Sequence, residues 1–226
     1  MTVGQLKGVC MRVTKEPEER KNEIIDTAGS LFVAKGYNSV SVSDIANEIG
    51  IAKGTIFYYF KSKEELLDEV FTKFFSKIHY NAQIIAADEK LNAVEKMMKL
   101  TDINNVTGGD DKLRCFFETS PPPGNSEMIL KRLVLLISSV APVIAKIIKQ
   151  GINEKSMFTK YPDEVAEIIT AAEKAMFLGL FENSHNDLIK KMTAYLYVVE
   201  VILNLEEGTF DSVTERFVDL TKALGI

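Results

Sequence analysis

The chain has 226 residues, 46% hydrophobic and 26% charged, a balance ordinary for a soluble globular protein of one large or two smaller domains. Its net charge is −5, yet residues 1–65 are neutral overall, so any nucleic-acid contact must be confined to a local basic patch. Two cysteines, Cys10 and Cys115, exclude a disulfide framework, and neither sits at metal-ligand spacing with another Cys or His. Residues 1–15 show no periodicity and are expected to form a mobile leader, with Met1 or Met11 serving equally as a start. They hold no apolar core of secretory length, so a cytoplasmic protein is expected. A first helix is expected from Pro17, with Glu16, Glu18 and Glu19 placed against the helix dipole. Ile24, Ile25, Ala28, Leu31 and Phe32 form its apolar stripe, and Gly36-Tyr37 ends it.

The stretch from Ser41 to Leu66 organises the rest. Ser41 is a good N-cap with Asp44 three residues on, an acidic version of the capping box. Ile45, Ala46 and Ile49 share one helical face; Gly50 suits a left-handed helix end, with Ile51 as its hydrophobic contact. A second short helix from Lys53 to about Phe60 buries Ile56 and Phe60, which makes a helix-turn-helix. Between Ile49 and Lys63 there are three lysines (Lys53, Lys61, Lys63) and no acid, interleaved with tyrosine and hydroxyl residues suited to phosphate. Ser62 and Glu65 form a second capping box, whose helix start is a ready phosphate site beside Lys61 and Lys63.

The runs D-I-A-x-x-x-G (44–50) and K-G-T-x-x-Y-Y-F-K-S-K-E-E-L (53–66) resemble the DNA-binding domain of TetR-family transcriptional repressors, over about residues 20–75. The resemblance implies phosphate contacts from Ser41, Ser43, Tyr58 and Lys63, with Lys61 beside them. It implies that Lys53, Thr55 and Tyr59 reach base edges or the nearby backbone, and that Gly54 permits close approach. Phe57 departs from the family, which often has tyrosine there; the ring remains free to pack on sugar or a thymine methyl. Ala52 is a weak cap for the second helix.

Beyond this region a long helix is expected over 63–85, with an apolar face wide enough to pack on two cores, and another over 88–100. Residues 101–125 carry turn signals around a short apolar patch, 113–117. Helices follow over 126–150, kinked at Pro142 and ended by Gly151, and over 163–181, 187–205 and 212–224. The longest apolar run, 133–148, is 16 residues with Ser138, Ser139, Pro142 and Lys146 inside it; a membrane span needs about 20 apolar residues, so a core helix is expected. The fold class is therefore all-α: a leader (1–15), a three-helix helix-turn-helix domain (16–62) and a helical domain (63–226), to which the resemblance assigns effector binding and dimerisation.

The breadth of the apolar faces on 163–181 and 187–205 suggests pairing with a second copy as a four-helix bundle, and internal burial is the alternative. The resemblance implies a homodimer on a palindromic operator and a small-molecule inducer. Candidates to line an effector pocket are Phe75, His79, Tyr80, Cys115, Phe116, Glu173, Met176 and Phe177, with Tyr197 as a further polar group. No metal or cofactor is called for, since His79 and His185 lack partners at ligand spacing. Nor is there a Ser-His-Asp set or an H-E-x-x-H motif, so an enzyme finds no support. A DNA-binding protein controlled by a partner, or organising the nucleoid without an effector, is the alternative reading. An interaction-only helical module leaves the acid-free Lys/Tyr window unexplained.

Overall fold

The computed structural model describes residues 16–102, 126–177 and 185–224, and among these it is helical with no strand. The elements are α1 (Pro17–Lys35), α2 (Val42–Ile49), α3 (Lys53–Tyr59), α4 (Lys63–Ala87) and α5 (Ala93–Thr101). After them come α6 (Ser126–Glu154), α7 (Pro162–Phe177), α8 (His185–Leu203) and α9 (Asp211–Leu224). The expected leader and the helix at 113–117 lie outside the described residues.

Helix α1 packs on α2 and α4, and α2 packs on α3, so Ile24, Phe32, Ile45, Ile56, Phe60 and Leu66 meet in one buried cluster. Two ion pairs, Lys21–Glu69 at 3.1 Å and Lys73–Asp26 at 2.7 Å, hold α1 against α4. Helix α4 continues past this core. Its Phe71, Phe75, Ile78 and Ala82 stay buried as it runs beside α6.

The two long helices run in the same direction and are tied near both ends. Near the start of α4, Arg132 of α6 donates from Nε and Nη2 to Asp68 Oδ1 at 3.2 and 3.0 Å, with its guanidinium carbon 3.7 Å from the centre of the Phe71 ring. At the far end, Lys96 of α5 donates at 2.8 Å both to the carbonyl of Ala86 and to Gln150 of α6. Helix α6 packs most extensively on α7, which in turn contacts α8, and α9 closes against α8. Buried Glu200 accepts the backbone N–H groups of Gly208 and Phe210, fixing the turn that starts α9.

Two boundaries differ from expectation, each for a structural reason nearby. Helix α5 starts at Ala93 rather than near 88, because Asn92 and Glu95 form a reciprocal capping box while Asp88 closes a turn onto Lys90 and Leu91. Helix α6 passes through Gly151 to Glu154 instead of ending there. The carbonyl of Gly151 accepts the N–H groups of Ser156 and Met157, and a Cβ at this position would lie 2.5 Å from Met157 Sδ. Helix α7 is described only to Phe177, so the expected extension to 181 lies outside the described residues. Residues Leu130–Glu154 of α6 are by composition long and apolar enough to cross a membrane, yet Leu136, Val140, Val143, Ile144, Ile147 and Ile148 are buried in this fold.

The Gly151 contact gives a first test. Gly151→Ala is expected to cost about 1 kcal/mol net: overpacking against Met157 costs about 1–3 kcal/mol, and alanine's helix propensity returns about 1. Urea unfolding of the variant beside the parent measures it; a stabilised variant would show that Met157 yields freely.

Candidate nucleic-acid interface

The expected cap of α2 forms in full. Asp44 N–H donates to Ser41 Oγ at 3.2 Å, and Ser41 N–H donates to Asp44 Oδ2 at 2.8 Å. The Ser41 hydroxyl also donates to Asp44 at 2.7 Å, which together with the backbone bond holds the Asp44 carboxyl below its ordinary range. Ser41 is therefore committed to the cap, while Ser43 is half-buried in the first turn. Gly50 takes the left-handed conformation (φ 77°, ψ 35°), and Ile51 N–H closes back to the carbonyl of Ala46 at 2.9 Å. This turn sets the angle between α2 and α3.

Helix α3 divides sharply. Ile56, with Phe60 just past the helix end, is 1% exposed and anchors it inward. Lys53, Gly54, Phe57 (45% exposed) and Tyr58 (81%) face out, with Thr55 and Tyr59 half-buried at the margins. Nothing lies within 4 Å of where a Gly54 Cβ would stand, so the outward surface is flat there. Lys53 Nζ sits 5.7 Å from the Phe57 ring centre, and the Tyr58 and Tyr59 rings meet edge-on at 5.0 Å. Ala52 offers no side-chain cap.

The entry to α4 departs from a reciprocal box. Ser62 Oγ accepts the Glu65 N–H at 3.1 Å, but the Glu65 carboxylate takes the N–H of Lys61, one residue earlier, at 2.6 Å. The Lys61 side chain stays exposed. Lys63 does not project outward with it. Its ammonium donates to the carbonyl of Tyr37 and lies 3.9 Å from the Tyr37 ring centre, and burial lowers its pKa. Tyr37 itself donates to Glu64 at 3.3 Å; burial, then the charge of Glu64, pushes its phenol up to about 12.

The described residues proposed for an effector pocket lie on α4 and α7, some buried and some exposed. Phe75 is buried on α4, stacked at 5.7 Å on Phe71. His79, one turn on, has Nε2 3.0 Å from Gln83 and a buried Nδ1 without a hydrogen-bond partner among the described residues. Tyr80 and Tyr197 are exposed. On α7, Glu173 pairs with Lys174 at 2.7 Å, and Met176 helps line a notch of about 380 Å³ against Tyr195 and Val198 of α8. Burial, with the Glu173 charge second, pushes the Tyr195 phenol well above its ordinary value. Cys115, Phe116 and the Phe177 side chain lie outside the described residues. Sequence reasoning missed Tyr37 and Arg132. Position 132 falls on the stripe of Leu136, Val140 and Val143, so a charge on an apolar face was the available signal.

Comparison with known proteins agrees with this layout. A family model described as "Bacterial regulatory proteins, tetR family" matches residues 24–70, and one described as "Tetracyclin repressor-like, C-terminal domain" matches residues 116–198. The Bacillus subtilis HTH-type transcriptional regulator YuxN is 47% identical over 60 residues, 26% of this chain and 21% of that protein. The HTH-type transcriptional repressor KstR2 of Mycolicibacterium smegmatis is 32% identical over 85 residues, 38% of this chain and 41% of KstR2. The chain thus spans less than half the length of these two relatives. Among solved structures, a transcriptional regulator from Saccharomonospora viridis in complex with choline shares the fold, with TM-score 0.60 and 21% identity over 82% of this chain and 98% of that one. With both halves matched in order on a shared fold, this chain belongs to the TetR family of bacterial regulatory proteins.

Proposed function

We propose that the protein is a DNA-binding transcriptional repressor that grips a palindromic operator as a homodimer and releases it when a small apolar or amphipathic molecule binds. Residues 16–62 read DNA; residues 63–226 hold the effector and the dimer contact; the protein works in the cytoplasm without a membrane. One observation carries this reading: α3 buries Ile56 and turns a lysine, a glycine and two aromatic rings outward on a helix with no acid. Such a face suits the major groove, with the tyrosine and lysine groups beside it on phosphates.

The homodimer is supported by Ile168 of α7 and by Tyr197, Val198 and Val201 of α8, all exposed on neighbouring helices. A small-molecule input is supported by the choline-bound neighbour and by His79, one turn after Phe75, whose buried Nδ1 has no hydrogen-bond partner among the described residues. Glu173 and Met176 of α7 are further effector contacts in this reading.

Selection of bound duplexes from a random pool at low ionic strength tests the reading. A palindrome with half-sites about 34–36 Å apart is the expected product, and enrichment of none would end the proposal. Lys61→Ala is expected to weaken every sequence alike and to shallow the salt slope by about one unit. Lys63→Ala should act chiefly through the lost Tyr37 contact, so its salt slope should move less. Titrations at several salt concentrations separate the two.

A further inference from the structure

We infer that the open groove between α1 and α4 binds a small amphipathic anion, a single carboxylate carrying an apolar tail or ring. The groove shares no lining residue with the effector candidates on α4 and α7, and the inference does not depend on what α3 touches.

The groove holds about 590 Å³. Small-molecule sites run from about 300 to 1,000 Å³, so the space is of the right order. It opens beside the closest approach of the two helices, at Gly29, where a Cβ would stand 3.3 Å from Val70 Cγ1. Val33 of α1 and Val70 and Phe74 of α4 are its apolar walls. Val33 and Phe74 are only half-buried, so a ligand that covers them removes apolar surface from water.

Charge then selects the head group. Lys73, Lys77 and Asp26 also line the groove, two ammonium groups against one carboxylate. Lys73 is already engaged, 2.7 Å from Asp26 Oδ1 and donating at 3.3 Å to Asn22 Oδ1. Lys77, one turn further along α4, has no ion pair or hydrogen bond among the described residues. One positive charge is thus left over at the edge of an apolar groove, and it complements a ligand with one negative charge and an apolar body. A cationic amphiphile would be repelled there. Size argues against a protein partner, which needs about 800 Å² from each side. The groove spans only residues 25–34 of α1 and 70–77 of α4.

The chain has no tryptophan, so one introduced at the groove reports from that place alone. The test uses the full chain carrying Ala34→Trp, with Ser30→Trp one turn earlier as a second reporter; both positions are exposed on the rim. The probe is ω-bromododecanoate below its micelle threshold, because bromine quenches tryptophan only on contact. Saturable quenching of both reporters is expected, and none of Glu207→Trp in the turn between α8 and α9. Adding Lys77→Met should weaken the bromocarboxylate about two- to fivefold, the worth of an ion pair open to water. The neutral ω-bromododecanol should not respond to that change. All four positions are exposed, so melting by circular dichroism should match the parent. No quenching at either rim reporter, equal quenching at Glu207→Trp, or a carboxylate affinity indifferent to Lys77→Met overturns the inference.

Discussion

A chain with both Ile168 and Val201 replaced by glutamate is expected to fold, to run as a monomer, and to bind a palindromic duplex about 10²- to 10⁴-fold more weakly than the parent. Each side chain is 60% exposed, so the protomer should lose within about 0.5 kcal/mol per site. What changes is the surface offered to a second copy. Ile168 on α7 and Tyr197, Val198 and Val201 on the neighbouring α8 are exposed apolar groups that water solvates poorly, as are Phe158 and Tyr161 in the segment that leads into α7. Phe158 N–H donates to the Leu203 carbonyl at 2.9 Å, which places that loop at the end of α8. Across a two-fold axis each new carboxylate would meet the same face of its mate, a like-charge encounter costing several kcal/mol. Light scattering reads the mass, and titration with one half-site beside the full palindrome reads the lost bivalency. Half-site affinity should hold. A variant that remains dimeric would remove α7 and α8 as the contact.

Asp68→Ala is expected to cost about 3–5 kcal/mol, more than Arg132→Met, although both break the same pair. The asymmetry follows from where each charge sits. The Arg132 side chain is 4% exposed and the Asp68 side chain 26%. Removing the acid takes the Asp68 carboxylate away from a buried guanidinium, and burial already pulls that guanidinium below its ordinary pKa while Asp68 holds it up. Removing the arginine leaves a carboxylate that water can reach, and methionine refills the space over Phe71, so about 1 kcal/mol is expected. Urea unfolding of both variants and their combination gives the coupling, expected at about 0.5–3 kcal/mol. Equal losses from the two single variants would show that the buried charge is relieved some other way.

How much of this was legible before the structure depends on how local the signal was. The caps at Ser41 and Ser62, the left-handed turn at Gly50 and the inward pair Ile56 and Phe60 all stand where short-range chemistry puts them. Those features depend on neighbours within about one turn, so the residues alone carry them. Expectations failed where a distant partner decides. Gly151 reads as a stop until Met157 is seen packing against it, and nothing near Lys63 in the sequence signals that its ammonium donates to the Tyr37 carbonyl. Asn92 and Glu95 are the exception, a local box that the amphipathic pattern of 88–100 obscured. The effector candidates were chosen for chemistry without position, and so Tyr80 and Tyr197 emerge on the outside.

Only Phe60, Lys61 and Ser62 separate α3 from α4, and each is pinned: Phe60 N–H to Ile56, Lys61 N–H to Glu65, and the Ser62 hydroxyl by Glu65 N–H. With no slack at that elbow, α3 cannot swivel by itself and must inherit any tilt of α4. A 25-residue helix is about 37 Å long, so pivoting it at mid-length turns a 3 Å sideways push at one tip into about 3 Å at the other. In a two-fold assembly both tips swing together, and the span between the paired reading heads changes by up to twice that amount.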